Sequence, residues 1–93
     1  MNISISELLK LTDISIIDIR SVENYNNNHI PNAKNIPCDL LISNPNKYLS
    51  KGRRYFIYCQ KGIKSVKVCN LLNSLGYTTT NIIGGYESWI LEK

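Results

Sequence analysis

Residues 54–65 read RYFIYCQKGIKS: a hydrophobic, aromatic run, then a cysteine, a glycine, two lysines and a serine. Arg54-Tyr55-Phe56-Ile57-Tyr58 has the composition of a buried strand. From Ser65 onward Val68, Leu71, Leu72 and Leu75 recur at helical spacing, and Gly76 stands where a C′ glycine ends a helix. A strand leading within a few residues into a helix is half of a βαβ unit, and it places Cys59 in the turn between them.

Working outward, the same alternation continues. Ser15-Ile16-Ile17-Asp18-Ile19 is nearly continuous in β-branched residues and predicts a strand buried on both faces, ending at Arg20. Ser21 is an N-cap for a brief helical turn. Asn28 and Asn32, on either side of His29-Ile30-Pro31, are expected in the left-handed region that asparagine tolerates. Lys34-Asn35-Ile36 predicts a short strand closed by Pro37, and Leu40 to Leu49, interrupted by Asn44-Pro45, predicts short helical pieces. Ser4-Ile5-Ser6-Glu7 fits a capping box, with Ile5, Leu8, Leu9 and Leu11 as the apolar face of a short helix. Toward the C-terminus, Thr79 to Ile83 is a strand, Gly84-Gly85 a turn and Tyr86 to Leu91 a last helix, with Tyr86, Trp89 and Ile90 as its apolar face and Glu87 opposite, either meeting Arg20 or solvated. Strands alternating with helices give an α/β class: a central, mainly parallel sheet flanked by helices on both faces, with residues 1–93 as one domain.

Composition agrees. A chain of 93 residues, 43% hydrophobic and 19% charged, can build one core and is not that of a disordered tail. No basic segment followed by an apolar stretch opens the chain and no run approaches a membrane span, so neither a signal peptide nor a membrane partner is expected. Cys38, Cys59 and Cys69 form an odd set without CxxC spacing, which points to a reducing cytoplasm, reactive rather than bridging thiols, and no metal. The net charge is +4. Its one cluster, Lys51, Arg53 and Arg54 with Lys61, Lys64 and Lys67, lacks the long basic stripe with interleaved aromatics of a nucleic-acid surface; a small anionic substrate accounts for it, and no nucleic acid is expected.

In a parallel sheet, ligands bind beyond the carboxyl ends of the strands, where Cys59 falls. A loop containing Gly62 and closing onto a helix start can aim several amides inward as an anion nest. With Lys61 and Lys64 nearby, such a nest is expected to lower the thiol pKa and to hold an anion or a persulfide. The bland alternative, a small buried hydrophobe at a strand end, applies better to Cys69, which is expected in the core beside Val68 and Leu72. Cys38, after Pro37, is expected to be partly exposed.

Four segments in order carry a family resemblance. IIDIR (16–20) resembles the strand ending in Asp-x-Arg of the rhodaneses. NHIPNAKNIP (28–37) is similar to their Gly-His-Ile-Pro-Gly-Ala-x-Asn-Ile-Pro segment, YCQKGIKS (58–65) to their active-site loop Tyr-Cys-x-x-Gly-x-Arg-Ser, and LLNSLGYTTTNIIGGYESW (71–89) to their helix, Gly-Tyr turn, last strand and Gly-Gly-x-x-x-Trp ending. The resemblance implies a single-domain sulfurtransferase with Cys59 as nucleophile. Sulfane sulfur would pass from a small anionic donor such as thiosulfate, or from a persulfide, to a thiol or cyanide acceptor, which could be an acceptor protein. It implies no cofactor. Gln60, Lys61, Gly62, Ile63, Lys64 and Ser65 would cradle the transferred sulfur, Asp18 and Arg20 would form a supporting ion pair, and His29 would fix its loop through a backbone hydrogen bond. Lys64 and Gln60 stand where arginines are common, and a lysine lacks the guanidinium fork, which weakens the case for thiosulfate itself. Two alternatives remain open at this point. One is a non-catalytic rhodanese-like binding module or persulfide carrier whose lysine-rich rim docks an acidic protein. The other is a phosphatase or arsenate reductase-like enzyme, for which Cys-x5-Arg would be required, whereas here the basic residue follows as Cys-x4-Lys.

Overall fold

In the computed structural model, which describes residues 1–92, the strand Arg54–Tyr58 (β4) is the middle of a five-stranded sheet. The other strands are Asn2–Ile3 (β1), Ser15–Asp18 (β2), Lys34–Asn35 (β3) and Thr78–Ile82 (β5). Their order is β1-β5-β4-β2-β3, and every pairing is parallel. The expected architecture is therefore present, with a further edge strand, β1, that two residues carry no periodicity to announce. Because the chain runs outward from β2 to β3 and then returns to lay β4 on the other side of β2, a crevice opens beyond the carboxyl ends of β2 and β4.

The helices are Ile5–Leu8 (α1), Val22–Asn27 (α2), Cys38–Ser43 (α3), Pro45–Tyr48 (α4), Ile63–Ser74 (α5) and Gly85–Glu92 (α6). Side chains alternate across each strand, so β4 serves two cores. Tyr55, Ile57 and Cys59 join Ile17, Ile19, Leu41, Val68 and Leu72 on the side covered by α3, α4 and α5. Phe56 and Tyr58 join Ile5, Leu8, Ile16, Ile82 and Tyr86 on the side covered by α1 and α6. The capping box closes at α1, with Ser4 Oγ accepting from the Glu7 amide and the Glu7 carboxylate accepting from the Ser4 amide, both at 3.1 Å.

Several local expectations are corrected. α5 starts at Ile63, two residues before Ser65, because Gly62 takes φ +90° and turns the chain into the helix at once. On that helix Ser65, Val68, Cys69 and Leu72 are buried, whereas Leu71 and Leu75 are exposed. Leu9 and Leu11 likewise lie outside the core, since α1 ends at Leu8, and Ile90 faces outward while Tyr86 is buried. β5 begins and ends one residue earlier than expected, leaving Ile83 exposed. Asn32 is left-handed at φ 70°, but Asn28 is extended at φ −173°. No described helix is long and apolar enough to cross a membrane.

Candidate active site

β4 delivers Cys59 to the floor of the crevice. Its side chain, 6% exposed, continues the Tyr55–Ile57 face and so points toward α5, whose first turn folds over it. Three donors or partners surround Sγ: the Gly62 amide at 3.2 Å, the Ser65 amide at 3.3 Å and the Ser65 hydroxyl at 3.3 Å. Burial pushes the thiol pKa up, but the hydrogen bonds of Ser65, and then those of the Gly62 and Lys61 amides, outweigh it and leave the pKa below its ordinary value. The expected lowering is present and comes from the expected nest of amides together with the Ser65 hydroxyl; the side chains of Lys61 and Lys64, expected to add to it, are exposed and are not among its causes. Burial instead pushes the thiols of Cys38 and Cys69 up. All three cysteines are free; Cys69 is in the core and Cys38 is half-buried.

Two glycines make this loop possible. A Cβ on Gly62 would lie 2.8 Å from the Gly84 nitrogen, and one on Gly85 would lie 2.2 Å from the Cys59 carbonyl oxygen. The close approach lets the first amides of α6 hold the loop, Tyr86 N–H donating to Cys59 O at 2.9 Å and Glu87 N–H to Gln60 O at 3.1 Å. The Gly84-Gly85 turn is thus a second anchor of the cysteine loop, otherwise unpaired helix-terminal amides finding their acceptors there.

A buried network lies beside it. Parallel register sets Asp18 opposite Tyr58, and the Tyr58 hydroxyl donates to Asp18 Oδ2 at 2.6 Å. Arg20 Nη2 donates to the same oxygen at 2.8 Å, and Nε bonds both carboxylate oxygens at 3.1 Å. Arg20 also donates to Asn28 O at 2.6 Å and to Gln60 Oε1 at 3.1 Å, and it stacks 4.3 Å from the Tyr86 ring. Glu87 is solvated and takes no part. Burial and the hydrogen bond to Asp18 push the Tyr58 phenol pKa far up, so it remains a donor. Burial weakens the Arg20 charge, but the bonds and charge of Asp18 more than offset that. Asp18 and Arg20 therefore form the expected ion pair, which clamps the loop through Gln60 rather than presenting an open guanidinium.

The crevice is open, about 660 Å³, and is lined by Cys59, Gln60, Lys61, Ile63, Lys64 and Lys67 on one side and Ile19, Arg20, Ser21 and Asn24 on the other. The basic cluster read from the sequence divides here. Lys61, Lys64 and Lys67 rim the cleft, while Lys51, Arg53 and Arg54 lie at the opposite end of β4, about 17 Å away for a five-residue strand. His29 holds its loop as expected, its Nδ1 2.9 Å from Tyr25 O and its ring stacked 3.8 Å from that of Tyr25. Sequence reasoning missed Tyr58 and Tyr86, and also Asn81, whose Oδ1 accepts from the Ser65 hydroxyl at 2.5 Å. Asn81 alone left a signal, a carboxamide inside a strand otherwise threonine and isoleucine.

Comparison with known proteins agrees with this geometry. A thiosulfate sulfurtransferase of Coxiella burnetii is 34% identical over 84 residues, 89% of this chain and 78% of that protein. A tRNA sulfurtransferase of Thermoplasma acidophilum is 39% identical over 66 residues, 71% of this chain, although the match spans only 13% of that larger protein. Among solved structures, a rhodanese-related protein of Thermoplasma volcanium superposes with a TM-score of 0.89 at 27% identity, covering 98% of this chain and 91% of that one. A human single-domain sulfurtransferase superposes at 0.84 and 26% identity, covering 99% and 96%. The rhodanese-like domain profile matches residues 4–92, and with a parallel α/β sheet presenting a cysteine loop at its switch point, the chain belongs to the rhodanese-like domain family.

Proposed function

We propose that the protein is a rhodanese-type sulfurtransferase in which Cys59 carries sulfur as a persulfide. The observation that carries this reading is a thiol of lowered pKa at the floor of an open cleft, ringed by inward-facing amides and rimmed by three lysines. In the first half-reaction the Cys59 thiolate attacks the outer sulfur of an anionic donor such as thiosulfate. The new S–S bond forms as the donor's S–S bond breaks, and sulfite leaves with its electron pair. In the second, a thiol or cyanide attacks the terminal persulfide sulfur and Cys59 leaves as thiolate.

The roles follow from the geometry. Gly62 and Ser65 amides, with Lys61, stabilise the negative sulfur. Lys64 and Lys67 attract the donor as point charges. Ile63, 66% exposed beside them, offers an apolar contact to an acceptor. Asp18, Arg20 and Gln60 hold the loop. Arg20 is already committed to Asp18, Asn28 and Gln60, so it cannot clamp a phosphate as the arginine of a cysteine phosphatase would, and the sulfur reading is favoured. Free thiols suit a reducing cytoplasm.

The test is intact-mass measurement after incubation with thiosulfate or a small persulfide. Gain of one sulfur atom by the parent and none by Cys59→Ser is expected. No gain with any donor would overturn the proposal in favour of a binding module, and turnover of an aryl phosphate would favour the phosphatase chemistry.

A further inference from the structure

Behind Cys59 a chain of polar side chains runs through the core to the opposite edge strand. In the thiol state Sγ–H donates to Ser65 Oγ at 3.3 Å, the Ser65 hydroxyl donates to Asn81 Oδ1 at 2.5 Å, and Asn81 Nδ2 donates to Asn2 Oδ1 at 3.1 Å. Ser65 is fully buried, Asn81 is 3% exposed, and Asn2 is at the surface. The register of β1 and β5 sets Asn2 directly opposite Asn81. An asparagine buried in a strand is costly unless its amide is fully bonded, and here each end of it has one partner.

Ionisation of Cys59 disturbs this order. The thiolate is an acceptor only, so the single Ser65 hydroxyl proton is drawn to sulfur, and Asn81 Oδ1 would be left facing a lone pair at 2.5 Å. A carboxamide occupies the same heavy-atom positions after a half-turn. Turning Asn81 presents Nδ2–H to Ser65 Oγ, and turning the exposed Asn2 presents its own Nδ2–H to Asn81 Oδ1. Every group is then satisfied with the chain reversed, each donor pointing toward sulfur, where mutual polarisation strengthens the bond to the anion. The thiol proton itself leaves through the cleft to solvent; the amides turn but carry no proton.

We propose that Asn2, Asn81 and Ser65 form a reversible hydrogen-bond relay whose direction follows the ionisation of Cys59, with Asn81 as a positioning residue for the Ser65 hydroxyl. The relay rests on the sulfurtransferase reading only in taking Cys59 as the reacting thiol. Other charged or titratable groups face that thiol: Arg20, Lys61, Lys64 and Lys67 in the cleft, Cys38 from α3 and Cys69 from α5, and the α-amino group of Met1 lies next to Asn2. Among the described residues, none of these side chains hydrogen-bonds to Ser65, Asn81 or Asn2.

Asn2→Asp tests the relay at its exposed end. A carboxylate accepts only, so it locks Asn81 with Oδ1 toward Ser65 and opposes the thiolate. The midpoint of Cys59 alkylation against pH, followed at that residue by mass spectrometry, is expected to rise by about half a unit, a threefold loss of rate near neutral pH. The shift is expected to survive 1 M salt, which screens an exposed charge, and to disappear in a Ser65→Ala background. No shift, a shift abolished by salt, or one that persists without the Ser65 hydroxyl would overturn the relay. Asn81→Ala, checked for folding by urea titration, is the second variant: it is expected to make the midpoint insensitive to Asn2→Asp, and retained sensitivity would refute the proposal. Alkylation does not require sulfur transfer. Coupling without any persulfide would therefore support the relay while removing the sulfurtransferase reading, and persulfide formation without coupling would do the reverse.

Discussion

Substituting Gly85 by alanine probes how firmly α6 holds the cysteine loop. The residue sits at φ +59°, where a side chain costs about 1–2 kcal/mol. Its Cβ would lie 2.2 Å from Cys59 O and 2.9 Å from Gln60 O, both backbone atoms that cannot swing aside. The loop must then retreat by roughly 1 Å to restore van der Waals contact, which stretches the bonds from Tyr86 N–H (2.9 Å) and Glu87 N–H (3.1 Å) out of range. Losing two backbone bonds adds about 1–3 kcal/mol. The sum, about 2–5 kcal/mol, is a large part of the ~5–15 kcal/mol that holds a small domain together. Urea unfolding reads the loss as a fall of more than about 1 M in midpoint. Cys59 should also lose its ordered alkylation profile, because its carbonyl is one of the atoms displaced. Gly52→Ala is the matched control. Nothing lies within 4 Å of its added Cβ, and its φ is not positive, so the midpoint should hold or rise slightly. A Gly85→Ala midpoint as close to the parent as that of Gly52→Ala would refute the reasoning.

Substitutions at three further positions separate the forces around the site. Ser65→Ala removes a hydrogen bond to a charged sulfur, worth about 1.5–3 kcal/mol. The Cys59 alkylation midpoint should rise by about one unit or more, with slower reaction below it and equal rates at alkaline pH, where both proteins are thiolate. Lys64→Ala should move the midpoint much less, since Lys64 is exposed and its charge screened; equal shifts would restore the lysine as the controlling group. Asp18→Ala leaves Arg20 buried and the Tyr58 hydroxyl without its acceptor, and should cost about 3–5 kcal/mol in urea unfolding. Asp18→Asn, which keeps the shape and still accepts, should cost less, and an equal loss would show that charge pairing rather than shape matters there.

The order of strands and helices could be read directly because hydrophobic period and capping are local. β4, β2 and the capping box at Ser4 carry their signals within a few residues. The errors fall where neighbours distant in sequence decide. Leu71 and Leu75 have the right spacing for a buried face, yet α5 is rotated so that Ser65, Val68, Cys69 and Leu72 meet the sheet instead. β1 exists only because β5 offers it an edge. Asn28 is extended because the Arg20 guanidinium holds its carbonyl.

The residues themselves determined a parallel α/β chain with a cysteine at the mouth of its central strand, and four ordered motifs that mark its family, since all of these are written in contiguous residues. Tertiary structure decided what tunes that cysteine. The Ser65 hydroxyl turns back onto the sulfur from the first turn of α5, the α6 amides hold the Cys59 and Gln60 carbonyls from another element, Arg20 is turned inward to Asp18 and Gln60, and Asn81 stands behind Ser65 from another strand. Hydrogen bonds depend on distance and direction in space: the spacing of Gly62 and the helix start announces a nest of amides, but it does not encode the Ser65 hydroxyl on sulfur, the α6 anchor or Asn81 behind them.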